Sequence, residues 1–233
     1  RTLRDTRMAI QVKEIKAVTA KYGCSITDLL TAAMIYTIQE MQRKDPSRKK
    51  LTAIKVNVPV NLRPIFNSKT FRNFSSYVNL GVDVRNNYYT FEQILKEIKL
   101  QKQLYTIASN LEPKIAKNVE LEDSFAIGCI PLFIKKHVID FIKRTHGDKF
   151  CSYTLSNLGK AELPEEIEPY VKEMDFILGR QIGNIGAASC IGCNGQLFLH
   201  FTRNIKATDF ETRFAEFLNS MDIPLRISYD RLS

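Results

Sequence analysis

Residues Leu197 to Leu218, LFLHFTRNIKATDFETRFAEFL, change their hydrophobic period part-way along the stretch. The first six alternate as a β-strand does, with Leu197, Leu199 and Phe201 on one face and Phe198, His200 and Thr202 on the other. After a polar turn, Thr208 and Glu211 form a capping pair. This predicts a helix whose apolar side chains point inward: Phe210, Phe214, Phe217, Leu218 and Met221. A strand that leads into an amphipathic helix favours a fold in which helices pack on a sheet.

The segment that includes the start of this stretch predicts a hairpin. GAASCIGCNGQLFLHFT covers residues 186–202, and its Asn194-Gly195 pair supplies the positive φ angles of a tight turn. CSYTLSNLG, residues 151–159, predicts a further strand that ends in a turn.

Two earlier segments also alternate strictly. LTAIKVNVPVNLRP, residues 51–64, predicts a strand with one wetter side. SYVNLGVDV, residues 76–84, repeats the pattern. Both strands place every second apolar residue on one face: Ile54, Val56, Val58 and Val60 in the first, and Val78, Leu80, Val82 and Val84 in the second.

Helices are predicted between these strands. Residues 8–22 place apolar side chains at helical spacing, and Gly23 ends that helix. Ser25 to Asp28 resemble a capping box before a broad apolar stripe, which predicts a deeply packed helix. Thr90 and Gln93 cap another helix that runs to about Ala108, and residues 113–145 look mostly helical. The expectation is an α/β fold of the layered α+β type, a mixed β-sheet covered by helices, as a single domain over residues 1–233.

Composition limits the compartment and the partners. The 233 residues are 44% apolar and contain no apolar run long enough to span a membrane. The start, RTLRDTRMAI, has no apolar signal core and no initiator Met, so we expect a cut piece of a longer chain. Five cysteines without a secretion signal predict free thiols in a reducing cytosol, and hence a cytoplasmic protein.

The net charge of +9 comes from basic clusters at residues 43–51 and 134–149. No nucleic-acid module signature is present and Trp is absent, so we expect no nucleic-acid partner. A solvated basic surface is the simplest interpretation. Attraction of a polyanionic cofactor or of an acidic lipid surface stays open.

Two patterns suggest catalysis or metal binding, and both have simpler explanations. Cys190 and Cys193 are a Cys-x-x-Cys pair, but His200 is the nearest imidazole and a structural zinc needs four ligands, so no metal is expected. His200 ends a strand beside a helix, where a catalytic base could lie, yet no residue is placed to orient its ring except Asp209, past a turn. A structural or pocket-lining role for His200 is favoured.

The end of the 151–159 strand is more informative. Ser156 and Asn157 place two small hydrogen-bonding side chains where the strand runs out, and such groups can hold an amide, a hydroxyl or a developing oxyanion. A simple polar turn is the alternative. Tyr153 lies on the same strand. Arg63 ends the 51–64 strand before Pro64, so its side chain is expected to be fixed by an ion pair or by hydrogen bonds.

Taken in order, these segments resemble the C-terminal half of the chloramphenicol-acetyltransferase-like superfamily, which includes condensation domains, wax ester synthases and alcohol acetyltransferases. SITDLLTAAMIYTIQEM, from Ser25, resembles the family pattern T-x-x-D-x-L-x-A-A through Thr27, Leu30, Ala32 and Ala33, although Asp28 directly follows Thr27.

Three strand ends add to the resemblance. Asn61, Leu62 and Arg63 resemble a strand that ends in Leu-Arg. Arg72-Asn73 stands where the family often has Gly-Asn. The third match is to the Ser-Asn-x-Gly turn, through Ser156, Asn157 and Gly159.

The resemblance implies two similar halves, with the catalytic His-His-x-x-x-Asp-Gly motif in the first half. The second half has an equivalent strand, turn and helix without the motif. The two histidine positions fall near Thr202 and Arg203, and the Asp-Gly falls near Ala207 and Thr208. The segment therefore resembles the shell of an active site, and no catalytic residue is expected in this chain.

The implied function is one half of a substrate tunnel, inactive alone. It would serve transfer of an acyl group from a CoA or carrier-protein thioester to an alcohol or amine, with the N-terminal half as partner and no covalently bound cofactor. Substrate contacts are expected from Ser156, Asn157, Tyr153 and His200, and structural roles near the tunnel from Arg63 and Asn73. A complete trimeric acetyltransferase and a non-catalytic binding module are the alternatives, and the missing His-x-x-x-Asp argues against the first.

Overall fold

A computed structural model of the chain describes residues 3–72, 74–107, 151–179, 185–203 and 209–232. Seven strands form one mixed sheet: β1 Leu3–Gln11, β2 Ile54–Asn61, β3 Ser75–Val82, β4 Tyr153–Lys160, β5 Gly186–Cys193, β6 Gln196–Arg203 and β7 Leu225–Leu232. Four helices are described: α1 Val12–Tyr22, α2 Ile26–Lys44, α3 Phe91–Tyr105 and α4 Asp209–Ser220. The predicted α/β architecture is confirmed.

The strand order across the sheet is β3-β2-β4-β5-β6-β1-β7. The β2–β4 and β4–β5 pairs are parallel, and the other four pairs are antiparallel. The carboxyl ends of β2, β4 and β5 therefore meet at one edge of the sheet. The β5–β6 hairpin turns at Asn194 and Gly195, whose φ angles of 46° and 71° confirm the predicted tight turn.

One side of the sheet, the helix face, carries the larger core. Helix α2 buries most of its length against α3, α4 and the strands below it. Its capping box is present as predicted, since Ser25 Oγ accepts from the Asp28 amide at 3.1 Å and Asp28 Oδ2 accepts from the Ser25 amide at 3.1 Å. The Thr90–Gln93 box is also confirmed. The buried polar residues of α2 are hydrogen-bonded, since Thr31 and Thr37 donate to carbonyls one turn earlier and Gln39 bonds to the backbone of Tyr89.

The other side, the strap face, is covered by the strap, which we define as residues 171–179. The strap has no helix or strand and follows a short 3-10 helix, Glu168–Tyr170. Val171, Met174 and Phe176 pack on Phe198 and its neighbours. Strand β6 is consequently buried on both faces, because helices cover one and the strap covers the other.

One prediction of local structure is wrong, and one strand was missed. Residues 8–11 belong to β1, so the predicted helix begins only at Val12. Strand β1 pairs with β6 and β7, and this pairing overrides the helical spacing of its apolar residues. Strand β7 was not predicted. Glu211 binds Arg203 through one carboxylate oxygen, and its predicted capping partner, Thr208, lies outside the described residues.

Two sequence expectations lie outside the described residues. The predicted helical region 113–145 is one, and Thr208 is the other. The inward side chains of α4 are as predicted, with Phe210, Phe214 and Leu218 buried and Phe217 and Met221 partly buried against the core.

Candidate functional site

The carboxyl edge of the parallel strands opens onto a cavity of about 490 Å³, here called the edge cavity. Its apolar wall comes from Val12, Ile26 and Leu197, and two lysines, Lys16 and Lys160, also line it. Sheets of this class commonly bind ligands at the carboxyl ends of parallel strands. The edge cavity is therefore the candidate site.

Asn157 lines the edge cavity and is held rigidly. Its Nδ2 donates to Thr27 Oγ1 at 3.0 Å, and its Oδ1 accepts from the Gly159 amide at 2.8 Å. Gly159 has a φ of 78°, a conformation that glycine adopts without strain. The strand turn and the first turn of α2 together fix the carboxamide at the cavity rim.

Ser156 points away from Asn157. Successive side chains of a strand alternate between faces. The core neighbour Leu155 lies on the helix face, and the register pairs Ser156 with Ser189, whose hydroxyl contacts the strap. Ser156 therefore lies on the strap face, half-buried, and does not line the edge cavity.

Tyr153 lies at the opposite end of β4. It stacks on Phe210 with ring centroids 4.4 Å apart and lines a second cavity of about 280 Å³. Burial raises the pKa of its phenol. Four residues of strand separate Tyr153 from Asn157, a distance of roughly 13 Å. The structure does not bring these two predicted substrate contacts together.

His200 is buried on the strap face, with 1% of its surface exposed. Its Nδ1 lies 2.8 Å from Asp5 Oδ2 and its Nε2 lies 3.0 Å from Asp175 Oδ1. Burial lowers its pKa, but the two carboxylates outweigh burial, and the pKa is raised overall. Because both ring nitrogens are engaged, neither is placed to take a proton from a substrate.

Arg203 lies near the two positions at which the resemblance predicts the histidines of the motif. It is buried on the helix face, and its Nη1 donates to Thr6 Oγ1 and to Glu211 Oε1, each at 2.8 Å. Arg203 Nε and Glu211 Oε2 have no hydrogen-bond partner. This position therefore holds a sealed ion pair.

Arg63 is half-buried and holds the loop after β2. Its Nε donates to the Thr70 carbonyl at 2.9 Å and its Nη2 donates to the Arg72 carbonyl at 2.7 Å. Of the two predicted alternatives, the structure shows hydrogen bonds, since the guanidinium contacts backbone carbonyls and the Asn61 amide oxygen among the described residues. Asn73 lies outside the described residues.

The sequence pattern of the alcohol acetyltransferase family matches residues 7–194. The chain belongs to the alcohol acetyltransferase family. No curated protein matches it closely enough to count as a relative.

Solved structures share the fold of this alcohol acetyltransferase chain. Trichothecene 15-O-acetyltransferase TRI3 from Fusarium sporotrichioides is 13% identical, with a TM-score of 0.60, over 95% of this chain and 47% of that one. Polyketide synthase associated protein 5 from Mycobacterium tuberculosis is 12% identical, with a TM-score of 0.57, over 95% and 53%. A condensation domain of the enacyloxin polyketide synthase is 13% identical, with a TM-score of 0.52, over 95% and 40%. The chain thus spans about half the length of these proteins.

The Cys-x-x-Cys pair of this family member does not form a metal site. Cys190 packs in the helix-face core and Cys193 in the strap-face cluster, so their side chains project from opposite sides of β5. Burial raises the pKa of the Cys190 thiol to about 12. Within the described ranges, no cluster of His, Cys, Asp and Glu is arranged to bind a metal. In the same ranges, no helix has the length and apolarity needed to cross a membrane.

Sequence reasoning missed the Arg203–Glu211 pair and the partners of His200. One signal for the first was available. The alternation of β6 places Arg203 on the same face as Leu199 and Phe201, and a charge on an apolar face needs a buried counter-charge. No comparable signal identified Asp5 and Asp175, which lie 195 and 25 residues from His200.

Proposed function

We propose that this chain is the C-terminal half of an acyltransferase that moves an acyl group from a CoA or carrier-protein thioester to an alcohol or amine. Membership of the alcohol acetyltransferase family supports the reaction class. The doubled length of the structural neighbours supports a second half. The sequence contains no His-x-x-x-Asp, so the N-terminal half would supply the catalytic base.

The observation that carries this proposal is the fixed carboxamide of Asn157 at the rim of the edge cavity. An amide nitrogen has two hydrogens to donate, and Thr27 takes one of them. The second can reach the carbonyl oxygen of a thioester held in the cavity. A donor fixed before the reaction stabilises the oxyanion that develops there without reorganising.

The reaction needs few groups from this half. The base in the other half removes the acceptor proton, and the acceptor oxygen or nitrogen attacks the thioester carbon. The carbon–sulfur bond then breaks and the thiol leaves with the proton. Lys16 and Lys160 give the cavity a positive rim, which suits the phosphates of CoA or of a carrier-bound pantetheine.

The other predicted substrate contacts have different places in this proposal. Tyr153 would meet substrate only where an acyl chain or acceptor extends to the second cavity. Ser156 and His200 support the strap face behind the site. We further propose a cytoplasmic location, as expected for an enzyme with free buried thiols.

The test is thiol release from acetyl-CoA with a panel of alcohols and amines. The full-length protein should turn over with an acceptor, and the 233-residue chain alone, shown to be folded by circular dichroism, should not. Turnover by the chain alone that is lost on His200→Ala would overturn the proposal and make His200 catalytic. Absence of turnover by the full-length protein would favour a non-catalytic binding module.

A pair of matched variants locates the chemistry. In the full-length protein, Asn157→Ala should lower kcat/KM about 10²–10³-fold, as loss of an oxyanion donor does. Asn219→Ala, an exposed asparagine on α4, is the control and should leave kcat/KM unchanged. Equal kcat/KM values for the two variants would show that Asn157 takes no part in the reaction.

A further inference from the structure

The strap is attached to the sheet by apolar packing, by neutral hydrogen bonds from Asn194 and Ser189, and by one charged cluster. At Ser189, the hydroxyl donates to the Phe176 carbonyl at 2.6 Å and accepts from the Leu178 amide at 3.3 Å. In the charged cluster, Asp175 of the strap contacts His200, while Arg7 reaches Asp175 at 2.9 Å and Glu173 at 2.8 Å. Three of the strap's contacts are therefore ionic, and one of these depends on a histidine.

His200 connects the strap to the interior of the sheet. Its Nδ1 faces Asp5, whose side chain is 2% exposed, and its Nε2 faces Asp175, whose side chain is 45% exposed. An imidazole donates from both nitrogens only when it is protonated, and the neutral ring has a single N–H. The arrangement of one ring between two carboxylates is therefore complete only with the imidazolium.

We propose that Asp5, His200 and Asp175 form a pH-sensitive latch that seats the strap while the ring is protonated and loosens it when the ring loses a proton. Asp5 is buried and its other oxygen, Oδ1, has no partner, so the neutral ring keeps its N–H directed at Asp5. The proton is lost from Nε2. The lone pair left there faces Asp175 Oδ1, and an attraction that held the strap becomes a repulsion.

Among the charged groups of this cluster, the His200 ring is the one whose charge changes in the proposed latch. Arg7 stacks over the Phe198 ring at 4.4 Å and stays charged, so it continues to hold Asp175 and Glu173. Among the described residues of β1 and the strap, Asp5 and Asp175 contact His200, Arg7 contacts Asp175, and Glu173 contacts Arg7. Strand β5 contributes the neutral Ser189, and the β1–β7 register places Asp230 opposite Asp5 and Arg226 opposite Ala9.

Loosening of the strap reaches the edge cavity through Asn194. The Asn194 side chain donates to the Val171 and Lys172 carbonyls at the start of the strap, and it also lines the cavity. A strap that detaches frees this side chain and removes part of the cavity rim. The latch thus couples the protonation of a buried ring to the shape of the candidate site.

The sign of the pH effect follows from the raised pKa of His200. A group whose pKa is raised by a contact holds that contact below the raised pKa and loses it as the pH climbs through it. Each unit by which Asp175 raises this pKa changes the opening equilibrium of the strap tenfold. Strap opening should therefore increase as the pH rises from below the ordinary histidine pKa of about 6.5 through the raised pKa of His200.

The test measures two quantities in the full chain. Hydrogen exchange of the 171–179 amides, corrected for the intrinsic pH dependence of exchange, reports strap opening. Slow exchange of the His200 ring carbon hydrogen, followed by mass spectrometry, reports its pKa. We expect the two midpoints to coincide. Corrected strap exchange that stays constant across the range, or a midpoint that differs from the His200 pKa, would overturn the latch.

Two strap variants separate the latch from a general loss of charge. Asp175→Asn places an amide opposite Nε2, and this amide can donate to the neutral ring, so the pH dependence should disappear. Glu173→Gln removes the other strap carboxylate, which contacts Arg7 and not His200. Its strap should open more at every pH and keep the same pH dependence. Equal pH dependence in Asp175→Asn and the wild type would contradict the proposal.

Discussion

Strand β6 carries two charged clusters, centred on His200 and on Arg203, which lie three residues apart. The two clusters have different roles. Arg203 and Glu211 on the helix face have side chains only 5% and 1% exposed. The His200 pair on the strap face runs from buried Asp5 to Asp175 near the surface. Arginine keeps its charge at any pH that a folded protein meets, whereas histidine titrates near neutrality. The same strand therefore carries a permanent structural charge on one face and a charge that can change on the other.

The difference also shows why neither face of β6 offers a catalytic base. A base must have a free nitrogen and access to substrate, and β6 offers neither on either face. On the helix face Arg203 is neutralised by Glu211 of α4. On the strap face a histidine is present, but its two nitrogens are engaged by carboxylates.

The largest effect is expected on breaking the sealed pair. Glu211→Ala leaves the Arg203 guanidinium buried without a counter-charge and should lower the free energy of unfolding by about 3–5 kcal/mol. Denaturant unfolding measures this loss. The control is Arg203→Met with Glu211→Leu, which replaces both charges by apolar groups and should cost far less. A double variant as unstable as Glu211→Ala would show that the pair stabilises the fold beyond mutual neutralisation.

A smaller, pH-dependent effect is expected on the strap face. His200→Ala leaves Asp5 buried without a donor and should cost about 2–3 kcal/mol near pH 6. The wild-type pKa of His200 is raised, so its ionic contribution is present at low pH and is lost as the pH rises through that pKa. The difference in unfolding free energy between wild type and variant should shrink as the pH rises through that pKa. A difference that is constant with pH would mean that the ring acts only by packing.

Arg63 extends the comparison to an arginine with neutral partners. Arg63→Ala removes two hydrogen bonds to loop carbonyls and leaves no buried counter-charge, so about 1–2 kcal/mol is expected. Arg48→Ala is the control, since Arg48 is exposed and its guanidinium makes a long hydrogen bond to Thr52 Oγ1 at 3.5 Å. Thermal unfolding of both variants gives the comparison. A loss for Arg63→Ala as large as that for Glu211→Ala would point to a buried charge partner.

The sequence predicted the elements whose signals are local. Capping boxes at Ser25 and Thr90 and the Asn194-Gly195 turn each depend on neighbouring residues, and all three are present. The prediction failed for strand β1 because Met8, Val12 and Ile15 fit a helical spacing. The strand forms because it pairs with β6 and β7, which lie at the far end of the chain. Strand β7 alternates clearly in Leu225, Ile227 and Tyr229, so it was readable from sequence.

The candidate site was predictable only as a strand end. The Ser-Asn-x-Gly turn identified Asn157 correctly as a residue of that edge. The motif alone did not show whether Asn157 or Ser156 faces the cleft, because either residue can do so at the end of a strand. The β-bulge and the contact of Asn157 with Thr27 decide this. The His200 cluster depends on a strap without regular structure, and such a segment has no periodicity to read.

The smallest effect is expected at Ser156, the neighbour that the turn motif grouped with Asn157. Its hydroxyl lies on the strap face and is absent from the edge-cavity lining. Ser156→Ala in the full-length protein should change the free energy of unfolding by less than about 0.5 kcal/mol, as for most substitutions away from special contacts. Its kcat/KM, corrected for the folded fraction, should stay within about threefold of wild type, against the 10²–10³-fold loss expected of an oxyanion donor such as Asn157. A large rate loss in Ser156→Ala with unchanged stability would place the reacting carbonyl on the strap face. The strap and its histidine would then belong to the active site itself.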